Sequence, residues 1–109
     1  MPYNEELAKR IRVMLGRRRK VQEKKMFGGV GFLVYGNMAC GVHKQEMIVR
    51  LSDKDFASTV KGAHARVFDI TGRPMKGWVL VSAGGTASDK TLQDLVDKSV
   101  AFAKSLPPK

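Results

Sequence analysis

The run from Met26 to His43 constrains the fold of this chain most strongly, because glycines divide it into short strand-forming pieces. Gly36-Asn37 has the composition of a two-residue hairpin turn. It separates a β-rich segment, Phe32 to Tyr35, from a return strand, Met38 to His43. The segment from Phe27 to Gly31, which precedes this hairpin, predicts a flexible or tightly bent connection, and its glycines are expected to let the backbone turn or approach closely. The run therefore predicts antiparallel strands joined by tight turns.

Further strands are predicted on both sides of this hairpin. The polar segment from Val21 to Met26 is typical of an edge strand. Lys44-Gln45 predicts a second tight turn into a strand from Glu46 to Leu51, which completes an antiparallel meander. Later in the chain we expect a short strand from Val67 to Ile70. A central strand is expected from Gly77 to Val81, because its residues are apolar on both faces.

Three helices are predicted from capping residues and apolar spacing. The first spans residues 4–16, with Asn4 as its N-cap and Gly16 as its stop. A short helix follows over residues 53–60. Ser88 is the expected N-cap of the last helix. The apolar side of that last helix consists of Leu92, Leu95, Val96, Ser99 and Ala103.

The predicted element order is α-β-β-β-β-α-β-β-α, which gives an α+β fold. Antiparallel strands with helices packed on one face form a two-layer sandwich. Ala83 to Gly85 is expected to be a linker before the last helix. A chain of 109 residues is long enough to bury one core. We therefore expect a single domain that spans residues 1–109.

The sequence predicts a cytoplasmic protein with no membrane partner. No segment approaches the roughly 20 apolar residues of a membrane-spanning helix. The first six residues include Glu5 and Glu6 and no apolar run, so they do not resemble a secretory signal. The single cysteine, Cys40, excludes an internal disulfide framework.

The formal net charge of +10 is concentrated near the N-terminus. Residues 1–25 contain nine Lys or Arg and three Glu. A basic cluster favours nucleic acid or acidic partners, whereas a short run of cations is also typical of a solvated loop. The hypothesis of direct nucleic-acid binding rests on Arg17, Arg18, Arg19, Lys20, Lys24 and Lys25.

The residues that can carry chemistry do not form an expected catalytic or metal site, so we predict a non-enzymatic protein without a cofactor. Cys40 and His43 are three positions apart on one strand and should point to opposite faces, with Met38 on the face of Cys40 and Ala39 on the face of His43. Too few Cys and His residues are present for a structural zinc site. A small-anion binder or an enzyme that uses Gly28, Gly29 and His43 is the weakest alternative.

Four motifs together resemble the N-terminal domain of the TfoX (Sxy) family. They are Lys25 to Gly29, Gly31 with Phe32, Gly36 to Ala39, and Gly72 to Val79. The resemblance extends from the first helix to Leu106. It implies a two-layer α+β fold similar to that of secretion chaperones, which agrees with the predicted element order.

The resemblance also implies a regulatory role. In its best-known members this domain is joined to a C-terminal helical domain, and the whole protein positively regulates natural competence. We expect a stand-alone domain here, and the family implies no catalytic residues. The leading hypothesis is a regulatory domain that binds another protein, while its oligomeric state stays open. The expected contact residues are Lys25, Phe27, Gly28, Gly29, Arg73, Pro74, Met75 and Lys76.

Overall fold

A computed structural model describes residues 3–16, 21–26, 28–68 and 75–107, with only the backbone of Met26, Met75 and Lys76. Runs of consecutive strands are separated by helices, which is an α+β arrangement. The elements in chain order are α1 (Glu5–Leu15), β1 (Val21–Met26), β2 (Gly29–Val34), β3 (Asn37–His43), β4 (Glu46–Arg50), α2 (Asp53–Thr59), β5 (Ala65–Phe68), β6 (Met75–Val81), α3 (Ala83–Thr86) and α4 (Asp89–Ser105).

The six strands of the described residues form one antiparallel sheet in the order β1-β2-β3-β4-β6-β5. The first four strands are a meander, as predicted from their tight turns. β1 lies at one edge of the sheet, and β6 lies between β4 and β5. The polar strand β1 was predicted to be an edge strand and the apolar strand β6 a central one, and both predictions are confirmed. The sheet with its helices also confirms the predicted α+β sandwich.

The main hydrophobic core lies between the sheet and its helices. Its strand residues include Phe32, Val42 and Val49, which are each no more than 1% exposed. From the helices, α1 contributes Leu7, Ala8, Ile11 and Leu15. From α4 come Leu92, Leu95, Val96, Ser99, Val100 and Ala103. The predicted apolar side of the last helix is therefore confirmed, with Val100 added.

Helices α1, α2 and α4 each have a polar N-cap residue. Its side chain accepts a hydrogen bond from a backbone amide of the first helical turn. The Asn4 Oδ1 atom accepts from the Leu7 amide at 3.0 Å, and the Ser52 Oγ atom accepts from the Asp55 amide at 3.3 Å. The Ser88 Oγ atom lies 3.5 Å from the Thr91 amide. Gly16 ends α1 at a φ of 60°. These short polar residues fix the helix boundaries close to where the sequence predicts them. In the described part of the chain, no helix has the length and apolarity that crossing a membrane requires.

Gly29 and Gly31 belong to the regular strand β2, so the prediction of a flexible or tightly bent connection was wrong for Gly29 to Gly31, whereas Gly28 lies in the tight β1–β2 turn. β2 begins at Gly29, and close backbone contact with β3 explains the glycine there. A Cβ atom at Gly29 would lie 1.9 Å from the Val42 carbonyl oxygen. One at Gly41 would lie 2.4 Å from the Val30 carbonyl oxygen. Only residues without a side chain allow this approach of the two strands.

The hairpin turn between β2 and β3 lies one residue earlier than predicted. Tyr35 and Gly36 have positive φ values of 51° and 82° and form the turn. Asn37 begins β3 instead, where it is buried. Its Nδ2 atom donates to the Pro107 carbonyl oxygen at 3.0 Å. The buried amide thus connects the start of β3 to the segment that directly follows α4.

A β-bulge at Ala39 changes the side-chain alternation of β3. Phe32 pairs with Cys40, but Leu33 pairs with Met38, so Ala39 is an extra residue. Ala39 and Cys40 therefore both join the main core, while Met38 packs against a cluster on the opposite face. The expectation from strict alternation that Met38 shares the face of Cys40 was wrong.

Two segments between α2 and α4 also differ from the prediction. β5 begins at Ala65, two residues before its predicted start, while residues 69 and 70 lie outside the described part. The expected linker from Ala83 to Gly85 is part of the short helix α3. A Cβ atom at Gly84 would lie 2.5 Å from the His64 ring, so this helix packs closely against that ring.

Candidate binding edge of the sheet

β1 is the longer of the two edge strands. Its six residues pair with β2 without a register shift, from Val21 opposite Val34 to Met26 opposite Gly29. Among the described residues, β1 pairs with no other strand. In a strand, backbone N–H and C=O groups of alternate residues point to opposite sides, so every second residue of β1 directs its backbone groups away from β2.

Two exposed lysines follow each other on β1 and point to opposite faces of the sheet. Lys25 pairs with Val30, whose side chain lies in the main core, so Lys25 is on the helix side. Lys24 pairs with Gly31 and is therefore on the face without the main core. Both side chains are exposed. The edge consequently presents one cation to each face.

Glu23 is the acidic residue of β1, and α1 neutralises it. The Arg12 Nε and Nη2 atoms donate to its two carboxylate oxygens, each at 2.8 Å. This hydrogen bonding lowers the pKa of Glu23, although partial burial opposes the shift. The same bond raises the pKa of Arg12. Because the carboxylate is paired within the domain, Lys24 and Lys25 determine the charge that β1 offers to a partner.

The residues predicted to contact a protein have different placements. Lys25 and Gly28 are exposed next to each other at the β1–β2 turn. Gly28 has a φ of 73°, a conformation that favours glycine. Gly29 is buried against β3. Met75 and Lys76 are the first residues of β6. Phe27, Arg73 and Pro74 lie outside the described residues.

The strand order separates Gly29 from Met75. β2 begins at the end of the sheet where β3 finishes, since Val30 pairs with Val42. β6 finishes at that same end and begins at the other, because it runs antiparallel to β4. Two strands also lie between β2 and β6, which adds about 14 Å across the sheet. The described members of the predicted surface therefore fall into two groups.

The predicted nucleic-acid contacts include two described residues. These are Lys24 and Lys25, on opposite faces of β1. The remaining four, Arg17 to Lys20, lie outside the described residues. In sequence they connect the end of α1 to the start of β1. Glu23, the acidic residue of β1, is already paired with Arg12.

Cys40 and His43 lie on opposite faces of the sheet, as predicted. Cys40 is fully buried in the main core, and burial raises the pKa of its thiol to about 12 although Ser99 hydrogen-bonds to it. His43 pairs with Glu46 at the end of β3. In residues 3–16, 21–26, 28–68 and 75–107, no three His, Cys, Asp or Glu side chains form a group that could hold a metal ion.

The second face of the sheet carries interactions that the sequence analysis missed. Ile48, Phe68 and Leu80 are buried there with Met38 and Trp78 packed against them. Beside this second cluster, Arg66 on β5 donates two hydrogen bonds to the Glu46 carboxylate on β4. These two residues are 20 positions apart, and β6 lies between their strands. Only the strand order brings them together, so the sequence holds no local signal for the pair.

An arginine between two aromatic rings was also missed. The Arg50 guanidinium carbon lies 5.0 Å from the centre of the Trp78 ring and 5.5 Å from that of Phe102. Trp78 is the residue paired with Arg50 in the sheet, whereas Phe102 belongs to α4. This contact joins the second cluster to the helix layer.

Comparison with known proteins gives one match. The sequence profile of the TfoX N-terminal domain matches residues 14–103, which include the last two residues of α1 and all the described strands. No curated protein and no solved structure matches the chain. The match covers most of the 109 residues and agrees with the resemblance inferred from the motifs. The chain belongs to the TfoX N-terminal domain family.

Proposed function

We propose that this protein is a non-enzymatic regulatory domain of the bacterial cytoplasm that acts by binding another protein. Membership in the TfoX N-terminal domain family supports a regulatory role. In this proposal, binding of the partner protein changes transcription, as in the regulation of competence. The domain requires no cofactor in this proposal, because the partner rather than a small molecule carries the signal.

The observation that carries the proposal is the basic edge of the sheet. β1 offers outward backbone groups, and Lys24 and Lys25 are exposed on its two faces. The exposed Gly28 continues this edge into the β1–β2 turn. Backbone groups and separated cations suit contact with a polypeptide, which also alternates its side chains. The contact surface in this proposal is therefore centred on β1 and includes Phe27 and Gly28, whereas the buried Gly29 positions the neighbouring strand.

The start of β6 is a second contact region in this proposal. Arg73 and Pro74 precede it in sequence, and Met75 and Lys76 are its first residues. Because the strand order separates Met75 from Gly29, one small partner segment would not contact both regions. A larger partner would be needed to reach them together.

Affinity purification with charge variants tests the proposal. The tagged domain is treated with nuclease, and bound proteins are identified by mass spectrometry and then mixed with the domain in purified form. We expect a direct partner that Lys24→Glu with Lys25→Glu releases, and that Arg73→Ala with Lys76→Ala also weakens. A purified candidate that binds wild type and both variants equally would remove these surfaces from consideration. The absence of any protein that binds directly would contradict the proposed function.

Nucleic-acid binding is a second candidate, favoured by the number of cations near β1. Arg17, Arg18, Arg19 and Lys20 precede this strand directly in sequence. A phosphate backbone needs several cations on one surface, whereas Lys24 and Lys25 point to opposite faces. Titration with single-stranded and duplex DNA at low and moderate salt tests this candidate. It predicts a steep loss of affinity with salt, and no binding at low salt would exclude it.

A further inference from the structure

We propose that the free edge of β1 binds an acidic, extended segment of the partner as an additional strand of the sheet. This inference rests on the proposed function, since it names the partner's chemistry at the same edge. The partner segment would hydrogen-bond to the outward backbone groups of Val21–Met26, and its carboxylates would pair with Lys24 and Lys25.

The backbone of β1 meets the geometric requirement for strand addition. All six residues keep an uninterrupted register with β2, so the strand is straight enough to pair along its length. The Gly29 end of β2 is fixed by its close approach to Val42 on β3. β1 is therefore attached to a strand pair whose position is well determined. A rigid template lowers the conformational entropy that binding must overcome.

The charge of the edge selects an acidic segment. Lys24 and Lys25 are exposed on the two faces, and adjacent residues of an added strand also point to the two faces. A pair of consecutive carboxylates can therefore contact both lysines at once. Glu23 does not oppose this pairing, because Arg12 occupies both of its oxygens at 2.8 Å. In addition, the four cations at positions 17–20 precede the strand.

A second copy of this chain is a poorer occupant of the edge. Two-fold antiparallel pairing centred on Lys24 or Lys25 places a lysine opposite its own counterpart, and like charges directly opposite are destabilising. Each copy also has a formal net charge of +10. A segment rich in Asp or Glu avoids both repulsions and gains from the positive field.

Binding of a synthetic strand tests charge and backbone pairing separately. The probe is the end-blocked, fluorescein-labelled peptide Thr-Val-Glu-Glu-Val-Thr, and the readout is fluorescence anisotropy with the full chain. We expect saturable binding that weakens about tenfold in the double variant Lys24→Glu with Lys25→Glu. The matched control carries Lys61→Glu and Lys90→Glu, which make the same change in net charge at exposed positions outside β1. It should keep most of the affinity.

Backbone pairing is tested by N-methylation of the same peptide. Methyl groups on every second amide, in the two alternative phases, keep the charge but remove different hydrogen-bond donors. Strand addition predicts that one phase abolishes binding and the other retains it, because only alternate residues donate to β1. Equal binding of both phases, equal weakening of both lysine double variants, or no binding of the parent peptide would overturn the inference.

These outcomes remain separable from the proposed function. If the purified partner binds through β1 while both N-methylated phases bind equally well, the domain binds proteins but not by strand addition. If no protein partner binds directly and the peptide nevertheless shows the predicted phase dependence, the edge has the proposed chemistry and the regulatory proposal fails. Circular dichroism of each variant confirms that the sheet is intact before its affinity is compared.

Discussion

The two edge strands of the sheet, β5 and β1, are protected in different ways against pairing with a strand of another chain. β5 has only four residues, its register with β6 shifts between Val67 and Phe68, and its Arg66 is paired with Glu46. β1 has six residues in unbroken register and exposes two lysines. Short length, irregular pairing and internal neutralisation make the described β5 edge a poor template for an added strand. Charge alone protects the β1 edge.

This difference has a consequence for recognition. Lysine on an edge strand discourages pairing with neutral or basic strands, which is a common protection against aggregation. The same lysines attract a segment of opposite charge. The β1 edge is therefore closed to most polypeptides and open to acidic ones, whereas β5 offers neither free charge nor a regular backbone.

The reactivity of the buried Cys40 thiol measures how often β3, an inner strand of the sheet, becomes accessible to solvent. Burial raises the pKa of its thiol to about 12 from an ordinary value of 9.0, so the folded protein has roughly a thousandfold less thiolate near neutral pH. We expect alkylation by iodoacetamide to be slower in the native protein than in urea by at least that factor. Rapid alkylation of the native protein would show that β3 opens without global unfolding.

The Cys40 thiol also predicts a pH dependence of stability. Its folded pKa is raised, so the folded state favours the protonated thiol. The resulting contribution to the free energy of unfolding is fully present below the pKa of the unfolded thiol, about 9. It is lost as the pH rises from there towards 12. We expect Cys40→Ala to reduce this alkaline loss, as measured by urea unfolding between pH 8 and pH 11. An identical alkaline slope in both proteins would contradict the assignment.

Gly29 and Gly28 should differ strongly in their tolerance of a side chain. A Cβ at Gly29 would meet the Val42 carbonyl oxygen at 1.9 Å, and neither backbone can move without disturbing the pairing of β2 and β3. We expect Gly29→Ala to lose about 3 kcal/mol or more in urea unfolding. A Cβ at Gly28 would meet no atom within 4 Å, and only the positive φ there is unfavourable for alanine. Gly28→Ala should therefore lower the free energy of unfolding by about 1 kcal/mol. Equal losses would contradict the close approach of these strands.

The Arg66–Glu46 pair should contribute more to stability than an ordinary surface ion pair. Glu46 is only 20% exposed, and both oxygens accept from the guanidinium. A double-mutant cycle with Arg66→Met and Glu46→Gln should give a coupling energy of about 1 kcal/mol. The same cycle on the more exposed pair of Arg12 and Glu23 should give a smaller value. Coupling near zero for Arg66 and Glu46 would show that β5 is not closed by this pair.

Glu23 should show the smallest effect, with a defined pH dependence. Arg12 lowers the pKa of Glu23 in the folded state. The contribution of Glu23 to the free energy of unfolding is therefore present above its unfolded pKa, about 4.3, and is lost as the pH falls below that value. Because the pair is partly exposed, we expect Glu23→Gln to cost only about 0.5 kcal/mol near neutral pH. Its stability should approach that of wild type at pH 3. A constant difference at all pH values would contradict this pairing.

Local sequence signals predicted much of the fold. The caps at Asn4, Ser52 and Ser88 mark where helices begin, and the apolar spacing of α1 and α4 gives their buried sides. Tight turns between polar and apolar strands predict the meander of β1 to β4. These features depend on residues within a few positions of one another, so their physical causes are visible in the sequence.

Features that depend on neighbouring strands were not predictable. The bulge at Ala39 and the close approach at Gly29 arise from how β2 and β3 fit together. The sequence indicates that these glycines allow a turn or a close backbone approach, but it does not show that the neighbour of Gly29 is Val42. Likewise, the separation of Gly29 from Met75 follows from the position of β6 between β4 and β5. The pairing of Arg12 with Glu23, which leaves the edge basic, also requires the tertiary structure.

Amide hydrogen exchange of the full chain with the acidic peptide tests the difference between the two edges most directly. The central claim is that β1 accepts an acidic strand and β5 does not. It predicts that the peptide slows exchange at every second amide of Val21–Met26 and leaves the amides of Ala65–Phe68 unchanged. Equal slowing at both edges, or no alternating pattern in β1, would contradict the claim.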